Sequence, residues 1–201
     1  MTRSRTAALE HTRQITVFAM LGTLMFISKI VMEWLPNVHL LAMLTVVYTI
    51  VYRKKALIPI YIYVFLNGLY AGFSLWWVPY LYLWTILWGV TMLLPRHMKP
   101  AVAVPVYMAV CGLHGLAFGT LYAPFQAIAF GLSLKATLAW IAAGLPFDII
   151  HACGNLVASV LVLPLSTVLM KLEKTISGRA KAREKKDGSI VETSQNGTDK
   201  N

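Results

Sequence analysis

The sequence predicts an all-α membrane protein with six transmembrane helices, and two observations support this fold class. Hydrophobic residues make up 58% of the 201 residues and charged residues only 13%, whereas a soluble domain has about 25% charged residues to cover its surface. The apolar residues also gather into long runs, with most cationic residues at the ends of these runs. The bilayer is therefore the expected solvent for most of the chain.

Six apolar runs follow one another along the chain. A helix needs about 20 apolar residues to cross the hydrocarbon core of a bilayer. The second run is short, and the fifth and sixth are long and contain proline, so their ends are approximate. An odd number of spans would place the two basic ends of the chain on opposite sides of the membrane. The predicted spans are residues 15–35, 38–52, 56–75, 76–94, 101–130 and 136–172.

The positions of the cationic residues indicate how the six spans are oriented. If the N-terminus is cytoplasmic, all Lys and Arg residues lie in inner segments except Lys29, within the first span, and Lys135, in an outer loop. Because Lys and Arg accumulate in cytoplasmic loops, both termini are predicted to be cytoplasmic. The formal net charge of +10 then reflects orientation, and no nucleic-acid partner is expected.

The expected organisation is one membrane domain with two short cytoplasmic extensions. Residues 1–14 form the N-terminal segment, residues 15–174 the six-helix domain, and residues 175–201 a disordered basic tail. No removable signal peptide is expected, because the first apolar run is longer than a signal-peptide core and lacks an A-x-A-like exit. Cys111 and Cys153 lack the spacing of a metal motif, so no metal site is expected.

Polar residues inside the predicted spans are candidates for function, because each is costly in a bilayer and tends to face a cavity or a partner. In the sixth span such residues recur at helical steps and share one stripe, where Asp148 and His151 can pair at i,i+3. The fifth span has a similar stripe beside a face of glycines that allows close helix packing. The sixth-span stripe is Trp140, Gly144, Asp148, His151 and Asn155; that of the fifth is Tyr107, Cys111, His114, Phe118, Tyr122 and Gln126; the glycines are Gly112, Gly115 and Gly119.

These stripes have two interpretations, a polar clamp between helices or a functional site. For His114 alone the two stay open. For Asp148, His151 and Asn155 together a functional role is favoured, because three polar residues within eight positions exceed what a structural hydrogen bond requires.

Aromatic residues dominate the fourth span and the turn after the first. Trp77, Tyr80, Trp84 and Trp88 follow helical steps. The deeper two either face lipid or line a concave site for a flat, heteroaromatic or cationic ligand. After the first span, where Lys29 and Glu33 form an i,i+4 pair, a short loop could close over an outward-facing pocket. The residues of that loop are Trp34, Asn37 and His39. In the third span Asn67 accompanies a Gly68-x-x-x-Gly72 packing face.

Taken together, the six spans, the basic inner side and the last span resemble one family of bacterial membrane proteins. Residues 144–155 read GLPFDIIHACGN and are followed by Pro164 and Leu165. In these features the chain resembles an S component of an energy-coupling factor (ECF) transporter, over roughly residues 15–174. S components capture vitamins or related compounds from outside the bacterial cell membrane. They then associate with a shared transmembrane scaffold subunit and two ATPase subunits, and release the substrate by toppling in the bilayer.

The resemblance implies a substrate pocket built mainly from spans four to six and closed by the loop after span one. It also implies a small-residue face on span one that docks on the scaffold, here Ala19, Gly22 and Thr23, where the family has an Ala-x-x-x-Ala pattern. The expected substrate-binding residues are Trp34, Asn37, His39, Trp77, Tyr80, Trp84, His114, Tyr122, Gln126, Trp140, Asp148, His151 and Asn155.

The expected function is therefore transport, and the chain is not expected to be an enzyme or to carry a cofactor. It contains no G-x-x-x-x-G-K-[ST] phosphate loop, so the energy would come from its partners. Aromatic walls with few fixed charges favour a ring compound of modest charge, such as a vitamin, a vitamin precursor or a modified base. Two alternatives stay open. One is a small membrane enzyme that uses His114, Asp148 and His151 as acid and base groups; the other is a structural scaffold without a ligand.

Overall fold

The computed structural model describes residues 2–178, and this part of the chain is built from helices and their connections, without strands. The predicted all-helical class is thus confirmed. Short 3₁₀ turns occur at Arg53–Ala56 and Leu75–Trp77. The helices are α1 (Thr2–Val31), α2 (Leu41–Tyr52), α3 (Leu57–Ala71), α4 (Tyr80–Leu93), α5 (Pro100–Leu116), α6 (Phe118–Phe130), α7 (Leu134–Ser159) and α8 (residues 162–178).

Three segments of the described chain are long and apolar enough to cross a membrane, namely Glu10–Val31, Pro100–Phe130 and Leu134–Ser159. The second comprises α5 and α6, which are separated by a break at Ala117. Large apolar side chains cover the outside of the helices, as Met20, Leu69 and Val157 illustrate. Such an apolar outer surface is suited to lipid and not to water.

Three further helices are shorter than a bilayer is thick. α2, α3 and α4 have 12, 15 and 14 residues, which corresponds to about 18 to 23 Å at 1.5 Å per residue. A hydrocarbon core is about 30 Å thick. The backbone explains where two of them end. α2 stops at Arg53, which has a positive φ of 54°, and α3 stops at Gly72, which has a φ of 88°.

The chain divides into two compact units, and the larger comprises Phe18–Ser166. In the smaller, which includes the described residues before Phe18 and after Ser166, Arg13 pairs with Glu10 at 3.0 Å and with Glu173 at 3.6 Å. The predicted N-terminal segment is helical from Thr2 onwards. α8 extends to residue 178 and so includes the start of the predicted tail; the rest of that tail lies outside the described residues.

α2 forms the centre of the larger unit. Its residues from Leu41 to Thr49 are all buried, and it packs against α4, α5 and α7. A helix that is apolar on every side suits such a position, because no side needs to meet water. α1 joins the same core, since the Tyr48 hydroxyl donates to the Leu21 carbonyl at 3.1 Å.

α5 and α7 pack closely because glycines of the predicted small-residue face leave room for α7. A Cβ atom at Gly112 would lie 2.8 Å from Leu156 Cδ2, and one at Gly115 would lie 2.7 Å from Asn155 Nδ2. Both distances are shorter than a normal contact. The prediction that this face allows close helix approach is therefore confirmed.

Candidate functional site

A group of seven rings, four of them buried and three half-buried, lies where the helices of the larger unit converge. Trp84 is at its centre and is 1% exposed. Its ring centroid lies 5.7 to 6.2 Å from those of five other rings. His151 completes the group at 4.7 Å from His39 and 4.9 Å from Phe118. We call these residues the ring cluster: His39, Tyr63, Tyr80, Trp84, His114, Phe118 and His151.

Helical spacing brings these rings together. Tyr80 and Trp84 are four residues apart on α4 and so share one face. His114 and Phe118 have the same spacing, with the break at Ala117 between them, and their rings remain 5.9 Å apart. His39 comes from the connection between α1 and α2 and turns inward onto His151. Five helices and one connection thus contribute to the cluster.

Five of the seven rings carry a buried polar atom that has no hydrogen-bond partner within residues 2–178. These atoms are His39 Nδ1, Tyr63 Oη, Trp84 Nε1, His114 Nδ1 and His151 Nε2. More than 90% of buried polar groups in proteins are paired, and leaving one unpaired costs about 1–3 kcal/mol. The ring cluster therefore concentrates polar atoms whose hydrogen-bonding capacity is not met by the described residues.

Asn67 is a further residue with unpaired polar atoms. It lies on the same side of α3 as Tyr63, one helical turn away. It is 1% exposed, and neither the nitrogen nor the oxygen of its amide has a partner among the described residues. The third-span amide that the sequence assigned to packing is therefore a candidate binding group.

The ring cluster contains imidazole, phenol, indole and phenyl groups, and no carboxylate, ammonium or guanidinium group. In the described part of the chain, no three His, Cys, Asp or Glu side chains are arranged to hold a metal ion. The cluster can therefore stack with a ligand and exchange hydrogen bonds with it.

Asp148 lies beside this cluster but has a different partner. Both of its carboxylate oxygens accept the backbone N–H of Gly119, at 3.1 and 3.2 Å. Gly119 is in the first turn of α6, whose N–H groups have no partner within the helix. The contact described for Asp148 is thus a helix cap, and not the i,i+3 pair with His151 that the sequence suggested.

Asn155, the third polar residue of the α7 stripe, also bonds to backbone. Its amide nitrogen donates to the Cys111 carbonyl at 3.1 Å, across the α5–α7 contact. Ser159 in turn donates to the Asn155 carbonyl. Of the three α7 residues favoured for function, His151 joins the ring cluster, whereas Asp148 and Asn155 bond to neighbouring helices.

Comparison with known proteins supplies no relative for this arrangement. No family model, curated protein or solved structure matches the chain.

The aromatic residues predicted to line the pocket fall into three groups. Tyr80 and Trp84 belong to the ring cluster. Tyr122 stacks on Trp140 with centroids 5.9 Å apart, and its hydroxyl donates to the Trp76 carbonyl at 3.0 Å. Gln126 is half-buried one turn further along α6.

Trp77 forms the third group. Its indole nitrogen donates to the Val64 carbonyl at 2.8 Å, and Gly68 leaves room for the indole, since a Cβ there would lie 2.8 Å from Trp77 Nε1. The contacts of Trp77 thus join α3 to the turn before α4.

The loop after α1 contributes one residue to the cluster. His39 points inward, whereas Trp34 is 77% exposed and Asn37 is exposed with a positive φ of 58°. At the base of this loop the predicted Lys29–Glu33 pair is present, with a separation of 3.3 Å.

The predicted docking residues of α1 do not all share one environment. Ala19 and Thr23 are exposed. Gly22 is buried against α3, because a Cβ there would lie 2.6 Å from Ile62 Cγ2 and 2.8 Å from the Pro59 carbonyl. Gly22 thus serves packing within this chain, and Ala19 and Thr23 remain available to a partner.

Two residues of the candidate site were not predicted to bind a ligand: Tyr63 was not singled out, and Asn67 was assigned to packing. Both lie in an apolar run that gives no periodic polar signal on its own. The available clue is the i,i+4 spacing of a tyrosine and an asparagine in a segment otherwise free of amide and charged side chains. Phe118 was placed on the fifth-span stripe but was not expected to contact a ligand.

Proposed function

We propose that the protein is the substrate-binding subunit of an ECF-type importer. It would capture a small ring compound from outside the bacterial cell membrane and pass it inward with the help of a scaffold subunit and two ATPases. The observation that carries this proposal is the ring cluster around Trp84. It combines aromatic rings with unpaired buried polar atoms inside an apolar bundle, and such a combination of groups is typical of the residues that line ligand sites.

The proposal includes six membrane spans with both termini cytoplasmic. α2, α3 and α4 contain no Asp, Glu, Lys or Arg, so each suits an apolar environment. Their short length is tolerable because α2 is surrounded by other helices and does not need to meet lipid along its whole length. Bilayer thinning and outward-reaching basic residues accommodate the remaining mismatch, with Arg53, Lys54 and Lys55 at the junction of α2 and α3.

The loop after α1 supports binding from the outer side. His39 is the one residue of this loop in the ring cluster, and its neighbours Trp34 and Asn37 are exposed. Movement of residues 32–40 would withdraw His39 from His151 and open the cluster. In this scheme Ala19 and Thr23 on α1 meet the scaffold subunit, and the ATPases drive release.

The contact of Asp148 also favours binding over catalysis. An acid–base mechanism would need the carboxylate close to His151, or free to reach a substrate. Both oxygens of Asp148 instead accept the N–H of Gly119. This arrangement supports a role in positioning α6.

Two tryptophans of α4 allow a matched test of the proposal. Trp84 is in the ring cluster, whereas the Trp88 indole donates to the Arg53 carbonyl at 3.1 Å. The full chain, purified in detergent, is expected to retain a small molecule detectable by native mass spectrometry. The Trp84→Leu variant should lose it, and Trp88→Leu should keep it.

Affinity isolation from the native membrane supplies the second part of the test. It is expected to recover a scaffold protein and two ATPases with the chain. If the pure protein retains nothing, and if a panel of vitamins and precursors produces no thermal shift, the proposal is wrong.

A further inference from the structure

The unpaired atoms of the site also indicate what kind of ligand it takes. This inference rests on the proposed function, because it concerns the ligand of the same site. We propose that the ligand is an uncharged, planar heterocycle that carries at least one N–H donor together with acceptors on its edge. Tyr63, Asn67 and His114 would form hydrogen bonds with these groups.

The charge of the ligand is limited by the groups that surround the site. An ionic ligand buried in an apolar bundle needs an opposite charge nearby, because desolvation is costly otherwise. The ring cluster has no such group. The carboxylate of Asp148 already accepts the Gly119 N–H, and Lys29, in the last turn of α1, pairs with Glu33 at 3.3 Å.

The histidines do not readily replace a fixed charge. His39 and His151 have ring centroids 4.7 Å apart, and both lie among aromatic rings. Protonating more than one of the three imidazoles would bring like charges together in a medium of low dielectric constant. The neutral cluster therefore favours an uncharged ligand.

The His114 imidazole determines whether the ligand must carry a hydrogen-bond donor. Its Nε2 lies 3.1 Å from the Leu83 carbonyl oxygen. A carbonyl can only accept, so Nε2 carries the hydrogen, and Nδ1 of the neutral ring is an acceptor. Nδ1 is buried without a partner among the described residues. A donor group is needed to satisfy it, and an ionised carboxylate has none.

The other unpaired atoms require acceptors as well. The Trp84 indole N–H can only donate, and the Asn67 amide offers two donor hydrogens and one acceptor oxygen. The Tyr63 hydroxyl can do either. A ring with a lactam, a carboxamide or an amino group beside a ring nitrogen provides this mixture, whereas a hydrocarbon ring provides none of it.

The aromatic rings of the cluster also favour a particular ligand shape. Trp84 packs against Tyr80 and Phe118 with tilted rings whose centroids lie 6.2 and 6.1 Å away, and the faces of aromatic rings favour flat partners. The polar atoms come from different helices around these faces. A planar ring that stacks on the aromatic groups can direct its edge atoms to the polar ones.

Matched compounds test the charge and the donor requirement separately. Nicotinamide, thymine and hypoxanthine are uncharged and carry N–H donors. Nicotinate and orotate are anionic counterparts, and 1,3-dimethyluracil and caffeine are uncharged rings without N–H donors. Thermal shift of the full chain in detergent is measured with each compound, and any co-purifying compound is identified by mass spectrometry and assigned to one of these three classes.

The expected result is that every compound that binds belongs to the uncharged, N–H-bearing class. Binding of an anionic or a fully N-methylated ring, with loss of that binding in Trp84→Leu, would overturn the inference and leave the proposed function standing. If no compound binds and none co-purifies, the proposed function fails, and the inference fails with it.

Two variants test whether Tyr63 and Asn67 form hydrogen bonds with the ligand, and a tyrosine variant outside the site serves as the control. Tyr63→Phe and Asn67→Leu remove unpaired groups, so they should leave the melting temperature of the empty protein unchanged or raised, and weaken binding about tenfold. Tyr48→Phe removes a paired hydroxyl of a residue outside the ring cluster, so it should lower the melting temperature with little change in affinity. Unchanged affinity in both Tyr63→Phe and Asn67→Leu would refute the assignment of these side chains.

Discussion

The carboxylate of Asp148 on α7 accepts the backbone N–H of Gly119 in the first turn of α6 through both oxygens, at 3.1 and 3.2 Å. This contact lies next to the break at Ala117 that separates α5 from α6. A carboxylate is favourable at a helix N-terminus because it meets unpaired N–H groups and the positive end of the helix dipole. Asp148 therefore stabilises the start of α6, and so the position of Phe118 in the ring cluster.

A capping role predicts how substitutions of Asp148 behave. Asp148→Ala removes the acceptor and should lower the free energy of unfolding by about 0.5–2 kcal/mol, measured by thermal unfolding in detergent. Asp148→Asn keeps an oxygen that can accept the same N–H, so it should restore most of the stability and of the ligand binding. Failure of the asparagine to restore binding would assign the negative charge itself a role at the site.

The contact of α5 with α7 predicts opposite effects for two glycines. Gly115→Ala should destabilise the bundle, because the new Cβ would lie 2.7 Å from Asn155 Nδ2 and 3.0 Å from the Ala152 backbone. Overpacking of this kind costs about 1–3 kcal/mol. Gly144 has nothing within 4 Å of the corresponding position, so Gly144→Ala should stabilise α7 by up to about 1 kcal/mol. Equal melting temperatures of the two variants would contradict the tight packing at Gly115.

The sequence was most informative where one local rule decides the outcome. Composition and the length of the apolar runs identify the helical, lipid-compatible class, and the spacing of Gly112 and Gly115 identifies a close helix contact that the structure confirms. The Lys29–Glu33 pair follows from i,i+4 geometry in the same way. In each case the residues that matter are neighbours on one helix, so helical periodicity is enough to relate them.

The composition of the site could not be obtained from periodicity alone. Tyr63 and His39 reach Trp84 from a different helix and from a connection, so only the packing of the bundle brings them together. The role of Asp148 was also hidden. Its i,i+3 spacing from His151 suggests a pair, yet the break at Ala117 exposes N–H groups that are better partners for a carboxylate. A helix break between two apolar segments is difficult to locate from hydropathy.

The contacts of Arg53 predict that a substitution of Trp88 lowers the stability of the protein without changing ligand binding. Arg53 has a left-handed backbone, its guanidinium donates to the Met92 carbonyl at 2.8 Å, and its own carbonyl accepts from Trp88. Trp88→Phe should therefore lower the free energy of unfolding by about 1 kcal/mol and leave ligand retention intact. If this variant no longer retains the ligand, as measured by native mass spectrometry, the binding site would extend along α4 to Trp88.

The number of membrane spans can be tested with two single cysteines, because six spans and three spans predict different accessibilities. If only Glu10–Val31, Pro100–Phe130 and Leu134–Ser159 cross the membrane, the whole connection between the first two lies on one side. Asn37 and Lys54, both exposed in that connection, would then be labelled from the same side. With six spans they lie on opposite sides.

The measurement uses Asn37→Cys and Lys54→Cys in a chain whose Cys111 and Cys153 are replaced by alanine. A membrane-impermeant maleimide added to intact cells is expected to label Asn37→Cys, and to label Lys54→Cys only after the cells are permeabilised. Binding of the co-purifying compound checks that each variant is folded. Labelling of both positions in intact cells would exclude α2 as a span, because α2 is the one helix between them. It would thereby remove the six-span topology on which delivery by an ECF-type importer depends.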